Sequence, residues 1–505
     1  MMETIQGLLE GFGVALSGTN LLYGFIGCLL GTAVGVLPGL GPAATISLLL
    51  PAIYTMNSPA TSLIFLAGIF YGAMYGGSTT SILLKLPGEA ASVVTAIDGY
   101  EMAKKGRAGA ALAVSAIGSF IAGTIGVIGL TFFGPPIAEF AIKFSAPEYF
   151  SLILLGLMLA VFLTGASPLR GCIMLFCGIL LAQVGIDPLT GILRFTYGSV
   201  EMMGGFDFVT IAMGMFGLSE ILLTLEETVK AEFVTNNVGK LWITAKEWAE
   251  SRWAILRGSI VGFFVGVIPG GGAVISSLIS YSMERKLSKT PEEFGKGAIA
   301  GVAGPESANN AASSSSFIPL LTLGIPCNAT IAMIYAALLI QGITPGPLLL
   351  AQHPDVFWGV VASMYIGNII LVILNLPLVN MWVKLLRVPF GILGPLIVII
   401  TTIGSFSLEN SMFNVYAFMA FGIVGYLLRK LEFDPGPLLM AFILSPILEN
   451  SLRQSLLLSG GNFQIFFSRP ISATIMAIFF VVLIANIVSI FRKKAKEKKN
   501  AAKTE

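Results

Sequence analysis

The chain has 505 residues, of which 55% are hydrophobic and 11% charged, with a formal net charge of +2. A soluble domain carries about 25% charged residues, so this composition excludes a water-soluble enzyme or a nucleic-acid-binding protein. With a mean hydropathy of +0.87, the chain reads as an all-α polytopic membrane protein, since a membrane β-barrel would show short alternating segments instead.

In chain order, Met1 to Glu10 lacks the basic n-region and small-residue cleavage site of a removed signal peptide. A first helix is expected over Asn20 to Leu37, with Gly27, Gly31 and Gly35 at four-residue spacing. Such spacing lets helix backbones pack closely. The helix ends at a Pro-Gly break, Gly35-Val36-Leu37-Pro38-Gly39-Leu40-Gly41. The run Ala43 to Tyr54 returns across the membrane, and Met56-Asn57-Ser58-Pro59 forms a polar turn. The next apolar stretch ends at Gly76-Gly77-Ser78-Thr79-Thr80-Ser81. A second break follows at Pro87-Gly88-Glu89.

The same plan recurs in the second half. Gly258, Gly262 and Gly266 precede Gly266-Val267-Ile268-Pro269-Gly270-Gly271-Gly272, in which Pro269 lies 231 residues after Pro38. Pro291 answers Pro59, and Ala300-Gly301 answers Ala67-Gly68. Asn309-Asn310-Ala311-Ala312 with Ser313, Ser314, Ser315 and Ser316 falls on Gly76 to Ser81. Ile325-Pro326, followed by Asn328, falls on Leu86-Pro87, and Asp187-Pro188 is echoed by Asp434-Pro435.

Basic residues give orientation, because cytoplasmic loops are rich in Lys and Arg. Lys104, Lys105 and Arg107 form one cluster, and Arg285, Lys286, Lys289 and Lys296 another. Lys230, Lys240, Lys246, Arg252 and Arg257 populate the connector. Lys384 with Arg387, Arg429 with Lys430, and Arg492 to Lys499 complete the cytoplasmic set. The basic loop Arg285–Lys296 corresponds to the uncharged turn Met56–Thr61, and the basic loop Lys104–Arg107 to the Lys/Arg-free stretch Gln341–Asp355. Equivalent loops on opposite sides mark inverted-topology repeats. The expected organisation is a first membrane repeat over 1–225, an amphipathic cytoplasmic connector over 226–252, a second repeat over 253–491 and a basic tail over 492–505. Strict inversion sends the helix Ile471–Ile490 outward, whereas its basic tail favours the cytoplasm. The outcome turns on whether Pro437–Asn450 spans the membrane or is re-entrant.

No Gly-x-Ser-x-Gly, His-Glu-x-x-His or Walker pattern occurs, and the single His, His353, falls in a predicted external loop. Cys28, Cys172, Cys177 and Cys327 have no metal or disulfide spacing. The chain is therefore expected to be neither an enzyme nor a metalloprotein. Binding is better supported. Two matched breaks in two halves point to a transporter's midplane site. Half-helix N-termini suit a carboxylate, and unwound carbonyls suit a hard cation such as Na⁺ within the same breaks. The candidate binding set is Gly35, Pro38, Gly39, Gly41, Ser78, Thr79, Thr80, Ser81 and Pro87 in the first half. In the second half it is Gly266, Pro269, Gly270, Gly271, Gly272, Asn309, Asn310, Ser313, Ser314, Pro326 and Asn328. The bland alternatives are helix packing for the glycines and local capping for the hydroxyls and amides. Lys85, Glu89 and Glu306 fit either a functional role, Lys85 on a carboxylate and the two acids on a proton or cation, or snorkelling to an interface.

Several stretches together resemble one family. These are Gly-Val-Leu-Pro-Gly-Leu-Gly (35–41), Tyr-Gly-Gly-Ser-Thr-Thr-Ser-Ile-Leu-Leu (75–84), Pro-Gly-Glu (87–89) and Asp-Gly-Tyr-Glu-Met-Ala-Lys-Lys-Gly (98–106) in the first half. In the second they are Gly-Val-Ile-Pro-Gly-Gly-Gly (266–272), Phe-Gly-Lys-Gly-Ala-Ile (294–299), Pro-Glu-Ser-Ala-Asn-Asn-Ala-Ala (305–312) and Ile-Pro-Leu-Leu-Thr-Leu-Gly-Ile-Pro (318–326). In this order the chain is similar to the large membrane subunit of the tripartite tricarboxylate transporters, the TctA family. The resemblance implies a multi-pass secondary transporter of a prokaryotic inner membrane. It implies a small TctB-like membrane subunit, a periplasmic TctC-like solute-binding protein, and a carboxylate substrate such as citrate or a related di- or monocarboxylate. It implies no cofactor beyond Na⁺ or H⁺ as coupling ion. The run Ala-Ala-Ser-Ser-Ser-Ser (311–316) carries more hydroxyls than the family pattern, which bears on substrate or ion preference. An uncoupled anion channel and a non-transporting membrane scaffold are the rival readings.

Overall fold

The structure is a computed structural model that describes every residue except 38–39, 57, 165–166, 227–237, 387–389 and 502–505. Pro38 and Gly39 of the first break, Asn57 of the polar turn, and Lys230 and Arg387 of the basic set lie outside the described residues.

The chain is helical almost throughout. Its first half comprises α1 (Met2–Ala15), α2 (Gly18–Val36), α3 (Pro42–Ile53), α4 (Pro59–Leu84), a 3₁₀ turn Ala90–Val93, α5 (Thr95–Lys104), α6 (Ala108–Ala141), α7 (Ala146–Thr164) and α8 (Pro168–Leu181). A two-residue hairpin of β1 (Gly185–Ile186) and β2 (Leu193–Arg194) follows. Then come α9 (Phe208–Ala212), a π-helical turn Met213–Leu218 and α10 (Ser219–Glu226). The second half has α11 (Ala245–Val267), α12 (Gly272–Leu287), α13 (Ala300–Ser315), α14 (Phe317–Leu323), α15 (Ala329–Ile340), α16 (Leu349–Gln352) and α17 (Pro354–Asn375). It ends with α18 (Val379–Leu385), α19 (Phe390–Ser407), α20 (Met412–Lys430), α21 (Gly436–Leu458), α22 (Ile465–Ser468) and α23 (Pro470–Ala501). Among the described residues, eight helical stretches are long and apolar enough to cross a membrane.

The four-residue glycine spacing becomes two close helix pairs. A Cβ at Gly27, Gly31 or Gly35 of α2 would lie 2.3 Å from the main-chain oxygen of Phe65, Ile69 or Ala73 of α4. A Cβ at Gly258 or Gly262 of α11 would lie 2.3 or 2.2 Å from that of Gly304 or Ala308 of α13. The partners ascend together in steps of four, so each pair runs parallel with its backbones in contact. The helix between the partners must then run the other way. In the second half this is direct: Arg257, early in α11, bonds Glu284, late in α12, through Nε at 2.8 Å and Nη2 at 2.5 Å. Helices α11 and α12 therefore form a hairpin with its tip at Ile268–Gly271. Helix α4, apolar on every side, is buried over almost its whole length. It meets the other half where Tyr71 and Phe70 pack on Phe317 at ring distances of 5.8 and 6.2 Å.

Several loops distant in the chain touch one another. Lys105 donates to the Lys296 carbonyl at 2.5 Å, and Arg107 pairs Glu247 at 2.9 Å. Gln341 donates to the Ile53 carbonyl at 2.6 Å.

Some expectations need correction. The hydroxyl run Ser78–Ser81 is not at a break but inside α4, which continues to Leu84. Asn309 to Ser315 likewise lies inside α13. The backbone opens later, at Lys85–Glu89 and Gly324–Asn328. Helix α1 was not foreseen; its Gly7 and Gly11 give room to Trp358 of α17. The described end of the connector is non-helical from Val238 to Ile243, and α11 starts at Ala245 and runs without interruption into the second glycine ladder. Pro437–Asn450 belongs to one continuous 23-residue helix, α21.

Asp187 fastens the β-hairpin to α21. It accepts from the Thr190 hydroxyl at 2.7 Å, Arg194 at 2.5 Å and Arg453 at 3.1 Å, while Glu449 accepts from both guanidiniums and Gln183 from Arg194. The Thr190 hydroxyl, the Leu189 N–H and the two guanidiniums hold the Asp187 carboxyl well below the usual range, against the opposing effect of burial.

Two outcomes follow from this packing. Gly262→Ala should separate α11 from α13 and lower the thermal stability of the solubilised protein by about 1–3 kcal/mol. Gly13→Ala, whose Cβ meets nothing within 4 Å, should not lower it. For Asp187 the folded value is depressed, so its contribution is present above the ordinary carboxylate value of about 4 and fades as pH falls below it. Hydrogen exchange of 185–194, corrected for intrinsic rate, should show protection lost on acidification in the wild type and absent at every pH in Asp187→Asn.

Candidate functional site

A helix break at membrane depth frees N–H and C=O groups that lipid cannot satisfy, so protein or an aqueous cavity must cover it. Here the breaks cover one another. Gly270, at φ +77°, has the left-handed backbone that glycine adopts at no cost. Its N–H donates 2.7 Å to the carbonyl of Cys327 in the Gly324–Asn328 break. Thr80 Oγ1 donates to the Val36 carbonyl at the end of α2. A Cβ at Gly88 would lie 1.9 Å from the Gly35 oxygen, so the second break of the first half sits against the end of α2.

All four breaks border one cavity of about 540 Å³. Its lining includes Gly41–Ala44, Pro87–Ala90, Gly270–Ile275 and Asn328–Thr330. These segments contain the N-termini of α3, α12 and α15. Each such end carries a partial positive charge and N–H groups without helical partners. Pro42 opens α3 at a position where no N–H is needed. Asn328 caps α15, its Oδ1 accepting the Ile331 N–H at 2.9 Å. Phe70 and Met74 of α4, Leu163 of α7 and Phe216 of the π-helical turn complete an apolar wall.

The charged lining groups are Glu89, Glu220, Arg429 and Asp434. Arg429 donates through Nη1 to Glu220 and lies 5.5 Å from the centre of the Phe216 ring. Its buried Nε has no hydrogen-bond partner. Asp434 accepts from the Gly436 N–H at 2.9 Å. Glu89 is buried, with Oε2 accepting the Ala91 N–H at 2.7 Å and Oε1 lying 3.3 Å from Asn309 Nδ2.

Of the expected site residues, Gly41, Pro87, Gly270, Gly271, Gly272 and Asn328 line the cavity. Pro269 packs near Gly156, where a Cβ would lie 3.7 Å from its ring, and Pro326 is buried within its break. Gly35 and Gly266 sit at helix contacts, so the packing explanation holds for them. Ser78, Thr79, Thr80 and Ser81 are buried behind the cavity. Ser78 turns its hydroxyl to the Tyr75 carbonyl at 2.7 Å, and Ser81 meets Ser92 at 2.9 Å. Ser313 and Ser314 bond the carbonyls of Asn309 and Asn310 one turn back, as helical serines do. Asn310 donates to Ser119 at 2.7 Å. Asn309 alone of this run reaches a cavity-lining group, Glu89. Lys85 is exposed, at a left-handed helix cap, 5.5 Å from the Tyr100 ring centre. Glu220, Arg429, Asp434 and Phe216 were not foreseen. The only sequence signals were the Asp434-Pro435 echo and an Arg at the end of an apolar helix. Among the described residues no three His, Cys, Asp or Glu side chains group to hold a metal.

Eight apolar spans among the described residues, with broken helices whose N-termini border one cavity, define a multi-pass membrane protein. Residues 21–440 match the Tripartite tricarboxylate transporter TctA family, and the chain belongs to it, a family of transporter subunits. The chain is 50% identical over 497 residues to an Agrobacterium vitis protein described as an uncharacterized 52.8 kDa protein in the TAR-I ttuC' 3' region, covering 98% of this chain and 99% of that one. It is 51% identical over 233 residues to a second Agrobacterium vitis protein, described as an uncharacterized protein in the TAR-II ttuC' 3' region, covering 46% of this chain and 96% of that one. No solved structure matches the chain.

The free Nε and apolar stacking of Arg429 suit it to a planar, forked contact with a carboxylate, which Lys cannot reproduce. Arg429→Lys should raise the KM for carboxylate uptake by roughly tenfold, about 1.4 kcal/mol, at unchanged membrane abundance.

Proposed function

We propose that this chain is the transporting subunit of an ion-coupled carboxylate importer in a prokaryotic cytoplasmic membrane. The observation that carries the reading is the cavity lined by the N-termini of α3, α12 and α15 with Arg429 in its wall. Three converging helix ends offer N–H donors and partial positive charge to an anion, and a guanidinium adds a forked contact. The substrate is a tricarboxylate such as citrate, or a related di- or monocarboxylate. Na⁺ or H⁺ drives its entry. A small membrane subunit and a periplasmic solute-binding protein complete the assembly, as family membership suggests.

The chain works as two inverted-topology repeats, 1–225 and 253–491, joined by the connector 226–252 and ending in a basic cytoplasmic tail. Three features support this. The pairs α2–α4 and α11–α13 share one glycine-ladder geometry. The basic loops 104–107 and 285–296 touch each other. The uncharged turn after Ile53 touches Gln341 instead. Alternating access then moves the paired breaks as units about the cavity.

The test is uptake of labelled di- and tricarboxylates into vesicles holding this chain with its partner subunits under an imposed Na⁺ or H⁺ gradient. Accumulation that collapses with the gradient is expected. Gradient-independent equilibration would favour a channel, and no flux of any carboxylate would remove the substrate class. Replacing Asn309 and Asn310 together by Ala should abolish uptake at unchanged abundance.

A further inference from the structure

Behind the cavity wall lies a polar cluster that substrate binding alone does not require. Glu89 faces the cavity, and Glu306 of α13 lies deeper, 1% exposed. Neither carboxyl has an ion-pair partner among the described residues, although the carboxyls of Glu284 and Glu220 each have an Arg. Glu306 Oε1 accepts from the Thr95 hydroxyl, and the Ser115 hydroxyl also lies beside the carboxyl. Asn309, fully buried, leaves its Oδ1 without a partner. Its contact with Glu89 is 3.3 Å, longer than the 2.7–2.9 Å or so usual for a donor on a carboxylate. Two buried anions without a cation are costly at membrane depth.

These features fit one chemistry. The side-chain amide of Asn has a donor end and an acceptor end. Turned one way it donates to an ionised Glu89. Turned the other way its Oδ1 accepts from a protonated Glu89, and the orphaned oxygen is satisfied. Gly77 leaves room for the Glu89 side chain itself, since a Cβ there would lie 2.7 Å from Glu89 Cγ. The Ala91 N–H serves Oε2 in both states. The other ionisable groups around Glu89 do not neutralise it. Glu306 is a second acid, Arg429 is engaged by Glu220, Asp434 is acidic, and Lys85 is exposed beside Tyr100.

We propose that Glu89, switched between two hydrogen-bonded states by Asn309, is the proton-binding site through which this transporter couples carboxylate entry to a proton. The step is a simple proton transfer. Hydronium in the cavity gives a proton to the Glu89 carboxylate and leaves water, and the reverse step releases the proton on the other side. The inference rests on the transport reading above and names its coupling ion.

The experiment uses the reconstituted assembly with a pH-sensitive dye inside the vesicles, at equal Na⁺ on both sides. In the wild type, labelled carboxylate entry should bring protons with it. Glu89→Gln, locked in the neutral form, should lose pH-gradient-driven accumulation, and its remaining flux should no longer respond to external pH. Glu89→Asp should restore the response. Infrared difference spectra between acid and alkaline pH should contain a carboxylic-acid carbonyl band that Glu89→Gln removes. If the Gln variant does not fold, the wild-type dye signal and the Asp variant decide. Carboxylate flux without proton movement, or a Gln variant that still accumulates substrate on a pH gradient, would overturn the proton site and leave the transport reading standing. Absence of any carboxylate flux would overturn the transport reading and the coupling site with it.

Discussion

The arrangement depends on one constraint, that backbone opened at membrane depth must find its hydrogen-bond partners in protein. The Gly270 N–H meets the Cys327 carbonyl, which joins the tip of the α11–α12 hairpin to the break before α15. Asn328 caps α15 with its side chain, and Glu89 does the same for the turn after α4. These opened groups are satisfied by a local cap or by another break, whereas α3 and α12 begin without a side-chain cap. The breaks are thereby drawn to one place, and the helix ends that remain open to a ligand all border the same cavity.

Close backbone approach is the second requirement. A hairpin tip is positioned only as well as the helices that carry it. Gly27, Gly31 and Gly35 on one side, and Gly258 and Gly262 on the other, bring helix backbones into direct contact. Few side-chain rotamers lie between such backbones, so little freedom remains in where the tip sits. Lipid tails are as apolar as leucine, and close packing of small residues is a main source of helix association there. The residues that make the repeat visible are thus the ones that fix the position of the breaks.

The glycine ladders and the Pro87-Gly88 and Pro269-Gly270 breaks were legible because backbone requirements leave strong local marks. Hydroxyls and amides were misplaced for the complementary reason. Ser and Thr satisfy themselves on the carbonyl one turn back as readily as they cap a helix. A run such as Ser313–Ser316 therefore looks the same in sequence whether the helix stops or continues, and here it continues to Ser315. The charged lining was harder still. Arg429 ends an apolar helix, where a topogenic Arg and a cavity Arg cannot be told apart. Its place is set by Glu220 and Phe216, more than 200 residues earlier in the chain. Only packing joins them.

The charge balance of the cavity bears on the proposed coupling to an ion. Its lining holds three carboxylates and one guanidinium. Arg429 and Glu220 cancel, which leaves Glu89 and Asp434 facing any entering carboxylate. Three helix ends offset part of this, each worth about half a charge and falling off within the first turn. A substrate with two or three negative charges exceeds what they supply. Coulomb repulsion in a wall of low dielectric is strong, so substrate entry favours any step that removes negative charge nearby. A cation or proton bound beside the site would do so, and the same event would make filling and emptying the cavity depend on the ion gradient. An acid-lined anion site is thus self-consistent when anion and cation bind together.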